Sequence, residues 1–277
     1  MKLEFTKMNG AANDFVMIDG INARVSLSDG RVRLVCDRRR GVGADGLIVL
    51  RPAADAACDF HMEYYNSDGL PAEMCGNGSR CAASFGAGLG LGNPDGGGVH
   101  VRFSTDSGPV DARVFGDRVQ AGLMDAREMR REIPVRVAQD VKIVHFMVVG
   151  TRHAVIFVDD ARGLSNNEIS HLGRIVRSDP AFGPVGANVN FASLGDSGSV
   201  HLRTYEKGVE AETYACGTGS VAAAVLFAHD GRLDSPVTVV QHSGDELTVS
   251  FRLAPDGATD VTLEGPVATN FAGTLEL

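Results

Sequence analysis

Apolar residues in this chain come in short runs cut by Gly, Asn and Asp, the spacing of strands, with a few longer helical stretches between them. Residues 3–5 and 15–18 predict two strands around a loop from Met8 to Asp14, in which Asn13 and Asp14 are poor core residues. Ser28-Asp29-Gly30 opens a helix with Val32, Leu34, Val35 and Cys36, ended near Gly41, and Cys36 reads as core. A buried strand follows at Leu47–Leu50, and 59–65 alternates as a strand that runs into the loop at Asn66. The helix predicted over 77–85 is small or apolar on every side, which marks it as central and wrapped by strands, with Gly86 and Gly88 as its stop. The glycine-rich tract 86–98 follows a helix and leads into the strand 99–103. That is the wrong context for a dinucleotide loop, and it reads as a flexible connection. Val110–Phe115 and Arg118–Leu123 form a hairpin about Gly116-Asp117.

A second series begins with strands at 143–149 and 154–158 and a helix from Ser165 to Arg177 opened by a Ser165/Glu168 capping box. A loop at 183–190, a strand at 199–205, a loop at 206–215 and a helix from Cys216 to His229 come next. Strands at 237–241, 247–253 and 260–264 follow, and one near 272–277 returns to the first half. The two series are one pattern written twice. Gly10–Asp19 answers Gly150–Asp159, Gly41–Asp45 answers Pro184–Asn188, His61–Asn66 answers His201–Glu206, and Cys75-Gly76-Asn77-Gly78 answers Cys216-Gly217-Thr218-Gly219, all at an offset of about 140 residues. The expected fold is therefore mixed α/β (α+β), with two pseudo-symmetric domains. Each is a curved, mostly antiparallel sheet around a central helix, and the active site lies in the cleft between them. The domains are placed at 1–114 plus 265–277, and at 115–264.

Composition narrows the function. With 35 acidic against 26 basic residues the net charge is −9, which argues against nucleic acid or an anionic membrane as partner. The run Arg38-Arg39-Arg40 reads as a solvated helix end. A charged N-terminus and the lack of a long apolar window predict a soluble, cytoplasmic protein. Five cysteines without paired spacing indicate neither a disulfide framework nor a zinc site.

The chemistry lies in the duplicated cysteines. Cys75 and Cys216 both open a helix, where unpaired backbone N–H groups favour an anion and lower a thiol pKa from about 8.5. Equivalent thiols related by a pseudo-twofold suit racemisation at an amino-acid Cα, in which a thiolate removes the proton from one face and a thiol returns one to the other. Gly76, Asn77, Gly217 and Thr218 would offer backbone donors to the α-carboxylate, and Asn13, Asn66 and Asn188, predicted in loops just past strands, would fix its polar groups. Cys58 and Cys81 receive no role.

At KMNGAANDF (7–15), RRGVGADG (39–46), YNSDGLPAEMCGNGSRC (65–81), NVNF (188–191) and YEKGVEAETYACGTG (205–219), the chain resembles diaminopimelate epimerase over essentially its whole length. The resemblance implies an isomerase of lysine and peptidoglycan precursor biosynthesis that interconverts LL- and meso-diaminopimelate without pyridoxal phosphate or metal, often as a homodimer. It implies Cys75 and Cys216 as the acid/base pair, and Asn13, Asn66, Gly76, Asn77, Asn188, Glu206, Lys207, Gly217 and Thr218 around the substrate. His153 and Glu206 match a conspicuous pair at the family's site.

Four departures fall on recognition. Ala12 stands where Gly is common, and Thr151-Arg152 where Asn-Pro is. Lys207 replaces the arginine that clamps the distal carboxylate, and Glu206 lies one residue further from Cys216 than usual. Arg152 offers a substitute clamp. The departures leave open a racemase of another amino acid. A protein of another class, a redox switch closing Cys75 on Cys216, is the remaining alternative.

Overall fold

The computed structural model describes residues 2–72, 75–195 and 197–277, so Glu73 and Met74 of the first cysteine motif lie outside the described residues. The chain divides into two compact units, Met1–Gly122 with Gly265–Leu277, and Leu123–Glu264.

The first unit runs β1 (Lys2–Gly10), β2 (Asn13–Asp19), α1 (Asp29–Cys36), β3 (Gly46–Arg51), β4 (Phe60–Asn66), β5 (Pro71–Ala72), α2 (Gly76–Gly88), β6 (Asn93–Asp95), β7 (Gly98–Thr105), β8 (Gly108–Phe115) and β9 (Arg118–Gly122). The C-terminal strand, Ala268–Glu276, joins the outer edge of β1. Pairing is antiparallel except at β2–β3 and β4–β7. Those two joins are the crossovers that carry α1 and α2. Strand alternation divides the side chains between two layers. Phe15, Met17, Ile48, Leu50, Phe60 and Met62 meet α2, whereas Val16, Ile18, Leu47 and Val49 meet α1. With both faces covered, β2 and β3 read as continuous apolar runs.

Helix α2 touches β1, β2, β3, β4, β7, β8 and β9, so the sheet curls around it and leaves room only for small residues such as Ala82 and Ala83. The helix does end at Gly88, as expected, but Gly86 lies inside it rather than stopping it. A Cβ on Gly86 would sit 2.6 Å from the Phe60 ring, so this glycine answers a close approach. The tract beyond is likewise more ordered than its composition predicts, since β6 and β7 pair as a hairpin through Gly96-Gly97.

The second unit runs β10 (Arg127–Val137), β11 (Asp140–Val149), β12 (Thr151–Phe157), α3 (Asn166–Arg177), β13 (Asn188–Leu194), β14 (Val200–Glu206), β15 (Ala211–Thr213), α4 (Gly217–His229), β16 (Val237–Val240), β17 (Glu246–Ala254) and β18 (Gly257–Pro266). Its parallel joins, β12–β13 and β14–β16, occur where β2–β3 and β4–β7 occur in the first unit. The remaining pairings are antiparallel, with one helix again inside the curl. The capping box of α3 forms as predicted, Ser165 accepting from the Glu168 N–H and the Glu168 carboxylate accepting from the Ser165 N–H. This is the mixed α+β duplication that the sequence pattern implies.

Three local expectations change. Strand β10 is absent from the sequence reading because its register against β11 slips twice, with Glu128 and Glu132 at positive φ, so its apolar residues do not alternate. The loop from Met8 to Asp14 contracts to the tight turn Ala11-Ala12, both at positive φ, between strands reaching Gly10 and starting at Asn13. The loop at 183–190 ends early because β13 starts at Asn188. Asn13, Asn66 and Asn188 thus occupy strand ends rather than loops, where the ladder sets their direction.

Candidate active site

Each unit delivers its cysteine in the same way. Cys75 is the N-cap of α2, with extended backbone (φ −138°, ψ 120°), and its Sγ accepts from the Gly78 N–H at 3.5 Å. Cys216 is the N-cap of α4 (φ −135°, ψ 104°), and its Sγ accepts from the Gly219 N–H at 3.4 Å. The cysteine sulfur takes the place of a capping oxygen, so the first-turn N–H groups favour its thiolate. Gly76 and Asn77 in one helix, and Gly217 and Thr218 in the other, bring further first-turn N–H groups to the same end.

Around Cys75 the polar groups form a directed chain. Asn13 begins β2 on the face toward α2, and its Oδ1 lies 3.7 Å from Cys75 Sγ. The same oxygen accepts from Asn77 Nδ2 at 3.4 Å, while Asn13 Nδ2 donates to Asp45 at 2.7 Å. Asn77 Oδ1 accepts in turn from Arg80, a side chain of α2 with no exposed surface. Asp14 and Asp45 sit beyond Asn13 with Arg38, which bridges both, and with Lys7 on Asp14 and on the Gly43 carbonyl. Burial opposes ionisation of Asp14, but the bonds from Arg38 and Lys7 outweigh it and hold the carboxyl well below its usual range. Asn66 ends β4, and its Oδ1 accepts from the Tyr64 hydroxyl at 2.9 Å.

Around Cys216 the same positions carry other groups. The Cys216 N–H donates to Gln241 Oε1, Gln241 Nε2 donates to Ser220, and the Ser220 hydroxyl donates to the Cys216 carbonyl. Thr218 Oγ1 is 3.8 Å from Cys216 Sγ. His153, which the repeat aligns with Asn13, has no exposed surface, and its Nδ1 meets Asn190 Nδ2 at 3.2 Å. Because an amide nitrogen only donates, Nδ1 accepts and the ring proton sits on Nε2. Burial, helped by the Lys207 charge, pushes the His153 pKa down to about 3 and keeps the ring neutral. Asn190 also accepts from Thr204 and stands against Gly219 so closely that a Cβ there would collide with its Oδ1. Asn188 Oδ1 accepts from the Lys207 N–H at 2.9 Å, which places the turn after Glu206.

The structure thus gathers Cys75, Gly76, Asn77 and Asn13 at one helix end, and Cys216, Gly217 and Thr218 at the other. Asn66 lies on the face of β4 toward α2, and His153 on the face of β12 toward α4. Arg152 goes elsewhere. One residue from His153 on β12, it points with Ala154 and Ile156 to the α3 face and donates to the Phe182 carbonyl. Arg38, read as a solvated helix end, is an exposed side chain with two carboxylate partners. Arg80, Asp45, Asn190 and Gln241 escaped the sequence reading. A charged residue inside a helix otherwise small and apolar was the one available signal, for Arg80. Cys36 and Cys81 are buried thiols whose pKa values burial pushes up to about 12, consistent with inert core positions. Among the described residues no helix is long and apolar enough to cross a membrane, and no group of three or more His, Cys, Asp or Glu is placed to hold a metal.

Comparison with known proteins agrees with this geometry. The family description diaminopimelate epimerase matches residues 5–126 and 146–262. Diaminopimelate epimerase of Chlorobaculum tepidum is 36% identical over 272 residues, covering 98% of this chain and all of the relative. That of Gemmatimonas aurantiaca is 38% identical over 269 residues, covering 95% and 93%. Among solved structures, a hydroxyproline epimerase from Agrobacterium vitis has a TM-score of 0.76 at 15% identity, covering 100% of this chain and 93% of the other. A Bacillus anthracis phenazine biosynthesis protein of the PhzF family has 0.74 at 11%, covering 100% of each. The solved structures share the fold. The matched residues include both cysteine-capped helices and the asparagines beside them, and on that agreement the chain belongs to the diaminopimelate epimerase family and is an isomerase.

Proposed function

We propose that the protein interconverts LL- and meso-2,6-diaminopimelate by proton transfer at one Cα, with Cys75 and Cys216 as the two acid/base groups. The observation that carries this reading is the equivalence of the two N-cap thiols, each held by the N–H three residues on. In each turnover one thiolate takes the Cα proton and becomes a thiol, while the other thiol gives its proton to the opposite face and becomes a thiolate. The reverse reaction exchanges the roles, so no net proton is consumed. A Cα proton beside an ammonium is a very weak acid, and the carbanion-like state needs electrostatic support. The first-turn N–H groups of Gly76, Asn77, Gly217 and Thr218, directed at the α-carboxylate, would supply it.

Asn13, Asn66, Asn188 and Glu206 would hold the remaining amino and carboxylate groups. For the distal carboxylate the geometry favours Lys207 over Arg152. Lys207 follows Glu206, is tied to Asn188 and lies near enough to His153 to depress its pKa, whereas Arg152 is turned to the other face of β12. A lysine keeps the charge of the family's arginine without its two-pronged grip. His153, neutral and buried, is an auxiliary group that orients its surroundings through Asn190. The reading carries with it a homodimer and a cytoplasmic location, where lysine and peptidoglycan precursors are made.

The test is proton NMR of the reduced protein in heavy water with LL- or meso-diaminopimelate. Loss of the Cα signal together with interconversion of the stereoisomers is the expected result. Exchange with a different amino acid but not with diaminopimelate would transfer the reading to another racemase. Silence across a panel of amino acids would remove it and favour the redox alternative.

A further inference from the structure

The chain leaving β16 carries one residue out of keeping with its face. Val237 and Val239 are buried on the side toward α4, and alternation sends Gln241, next on that face, to the same side, where it is 5% exposed. An amide in such a place is costly unless its groups are bonded. Here both ends are bonded, and each bond dictates the next. The Cys216 N–H can only donate, so Gln241 Oε1 faces it, at 3.0 Å. Gln241 Nε2 must then donate, and does so to the Ser220 hydroxyl at 2.9 Å. The Ser220 hydroxyl passes its own proton to the Cys216 carbonyl at 2.8 Å, and the ring closes on the residue where it began.

Gln241 is itself fixed at its root. Its N–H donates to the Asp245 carbonyl at 2.9 Å and its carbonyl accepts from the Gly244 N–H at 3.0 Å, which ties the turn between β16 and β17. The same turn holds the chain entering α4. The Ser243 N–H donates to the Tyr214 carbonyl at 3.0 Å, and the Tyr214 ring stacks on His242 with centroids 5.7 Å apart. Residues 214 and 216 are thus clamped against 243 and 241. The clamp matters because Cys216 must keep its extended backbone (φ −135°, ψ 104°) for Sγ to accept from the Gly219 N–H. At helical angles α4 would grow backwards by one residue, and Sγ would leave the first-turn N–H groups. The ring opposes that rotation, since turning the peptide on either side of Cys216 breaks one of its bonds.

We propose that Gln241 is a positioning residue for proton transfer: by gripping the peptide groups on both sides of Cys216, it keeps that thiol aimed and in reach of the first-turn N–H groups. Both ends of its amide are bound to the turn, so it acts on the reaction through Cys216 and not on substrate affinity. The inference rests on the epimerase reading and names a further residue for it.

Gln241→Leu, Ser220→Ala and the double variant are compared with the parent in two assays. One is epimerisation of diaminopimelate, giving kcat and KM. The other is alkylation of the reduced protein by iodoacetamide across a pH series, with the Cys216 and Cys75 peptides quantified separately by mass spectrometry. Gln241→Leu is expected to lower kcat by about tenfold or more, since displacing a reacting group by 1 Å can cost about 100-fold, and to leave KM close to the parent's. The Cys216 midpoint should move to higher pH, toward the ordinary thiol value of about 8.5, while that of Cys75, in the other unit, stays in place. Ser220→Ala keeps the bond from the Cys216 N–H and should show the same changes in smaller degree. The double variant should be no worse than Gln241→Leu, because one ring can be opened only once. Losses that multiply in the double variant, a rise in KM at constant kcat, or equal movement of both midpoints would overturn the assignment. If Gln241→Leu does not fold, Ser220→Ala decides by itself, and a Cys216 midpoint unmoved against that of Cys75 overturns it too. The midpoints need no substrate, so absence of turnover in the parent counts against the epimerase reading and leaves the grip on Cys216 to be judged on the thiols.

Discussion

Helices α2 and α4 occupy the same place in their units, begin with the same capped cysteine and are both 13 residues long, yet they are built from different materials. Helix α4 is buried from Gly217 through Ala228 except at Thr218, with Phe227 stacked on Phe157, and behaves as a core element on every side. Helix α2 is small-chained and carries Arg80, with a polar chain leading through Asn77 and Asn13 to Asp45. The backbone at the cysteine is repeated, while the side chains behind it are not. Duplication has kept what a two-sided proton transfer requires, a thiol on the first-turn N–H groups. It has let the supporting layer diverge toward polar bonds in one unit and toward apolar packing with a Gln241–Ser220 brace in the other.

The sharpest way to break this comparison is to remove each thiol in turn. Cys75→Ala and Cys216→Ala should each lower epimerisation by at least about 100-fold, since each loses a proton-transfer group worth roughly 10²–10⁴. Full epimerisation by either variant would end the view of the two turns as equal partners.

Next in size come the ion pairs on the sheet faces away from these helices. Arg203–Glu212 is almost fully buried, and Arg203 also donates to Leu164 and Asn166, whereas Arg51–Glu63 is about one quarter to one third exposed. Glu212→Gln should cost about 3 kcal/mol by stranding a buried charge, against about 1 kcal/mol or less for Glu63→Gln. Urea unfolding of both variants measures the difference, and equal losses would show that burial does not separate the pairs.

The glycines three residues past each cysteine give a smaller contrast. Gly219→Ala drives a methyl into Asn190 Oδ1, whose amide is pinned by Thr204 and His153, and should cost about 2 kcal/mol together with activity. Gly78→Ala meets Ile48 Cδ1 at 3.0 Å, the movable end of a side chain, and should cost less than about 1 kcal/mol. Thermal melts of the two variants, with turnover beside them, test the order.

The mildest contrast is in pH. His153 is neutral in the folded protein down to about 3, so its contribution to stability is complete above its unfolded pKa of about 6.5 and is lost as pH falls toward 3. Its repeat partner Asn13 does not titrate, and the depressed Asp14 contributes fully until pH falls below about 3.9. Between about pH 6.5 and 4 the second unit should therefore weaken ahead of the first. His153→Leu should flatten the fall in Tm over that range, and a slope unchanged from the parent would show that His153 is not its source.

Much of this molecule was legible along the chain, because what was legible is local. The capping box at Ser165 depends on residues three apart, the hairpin at Gly116-Asp117 on a turn dipeptide, and the duplicated cysteine turns on a spacing that repeats. Strand β10 was illegible for the opposite reason, since its bulges break the alternation that reveals a strand. Gly86 looked like a helix stop because its real constraint, the Phe60 ring, is 26 residues away in the chain.

The sequence by itself thus determined the repeat, the family and the two cysteines at helix starts, all carried by residue types at short or repeated spacings. Tertiary structure alone decided where Arg152 points, which nitrogen of His153 holds its proton, and that Arg80 is buried beside the Cys75 turn. Those outcomes depend on strand parity, on a partner 37 residues away and on closure of β1 over α2. Contacts of that kind exist only once distant segments are brought together, because no local preference encodes them.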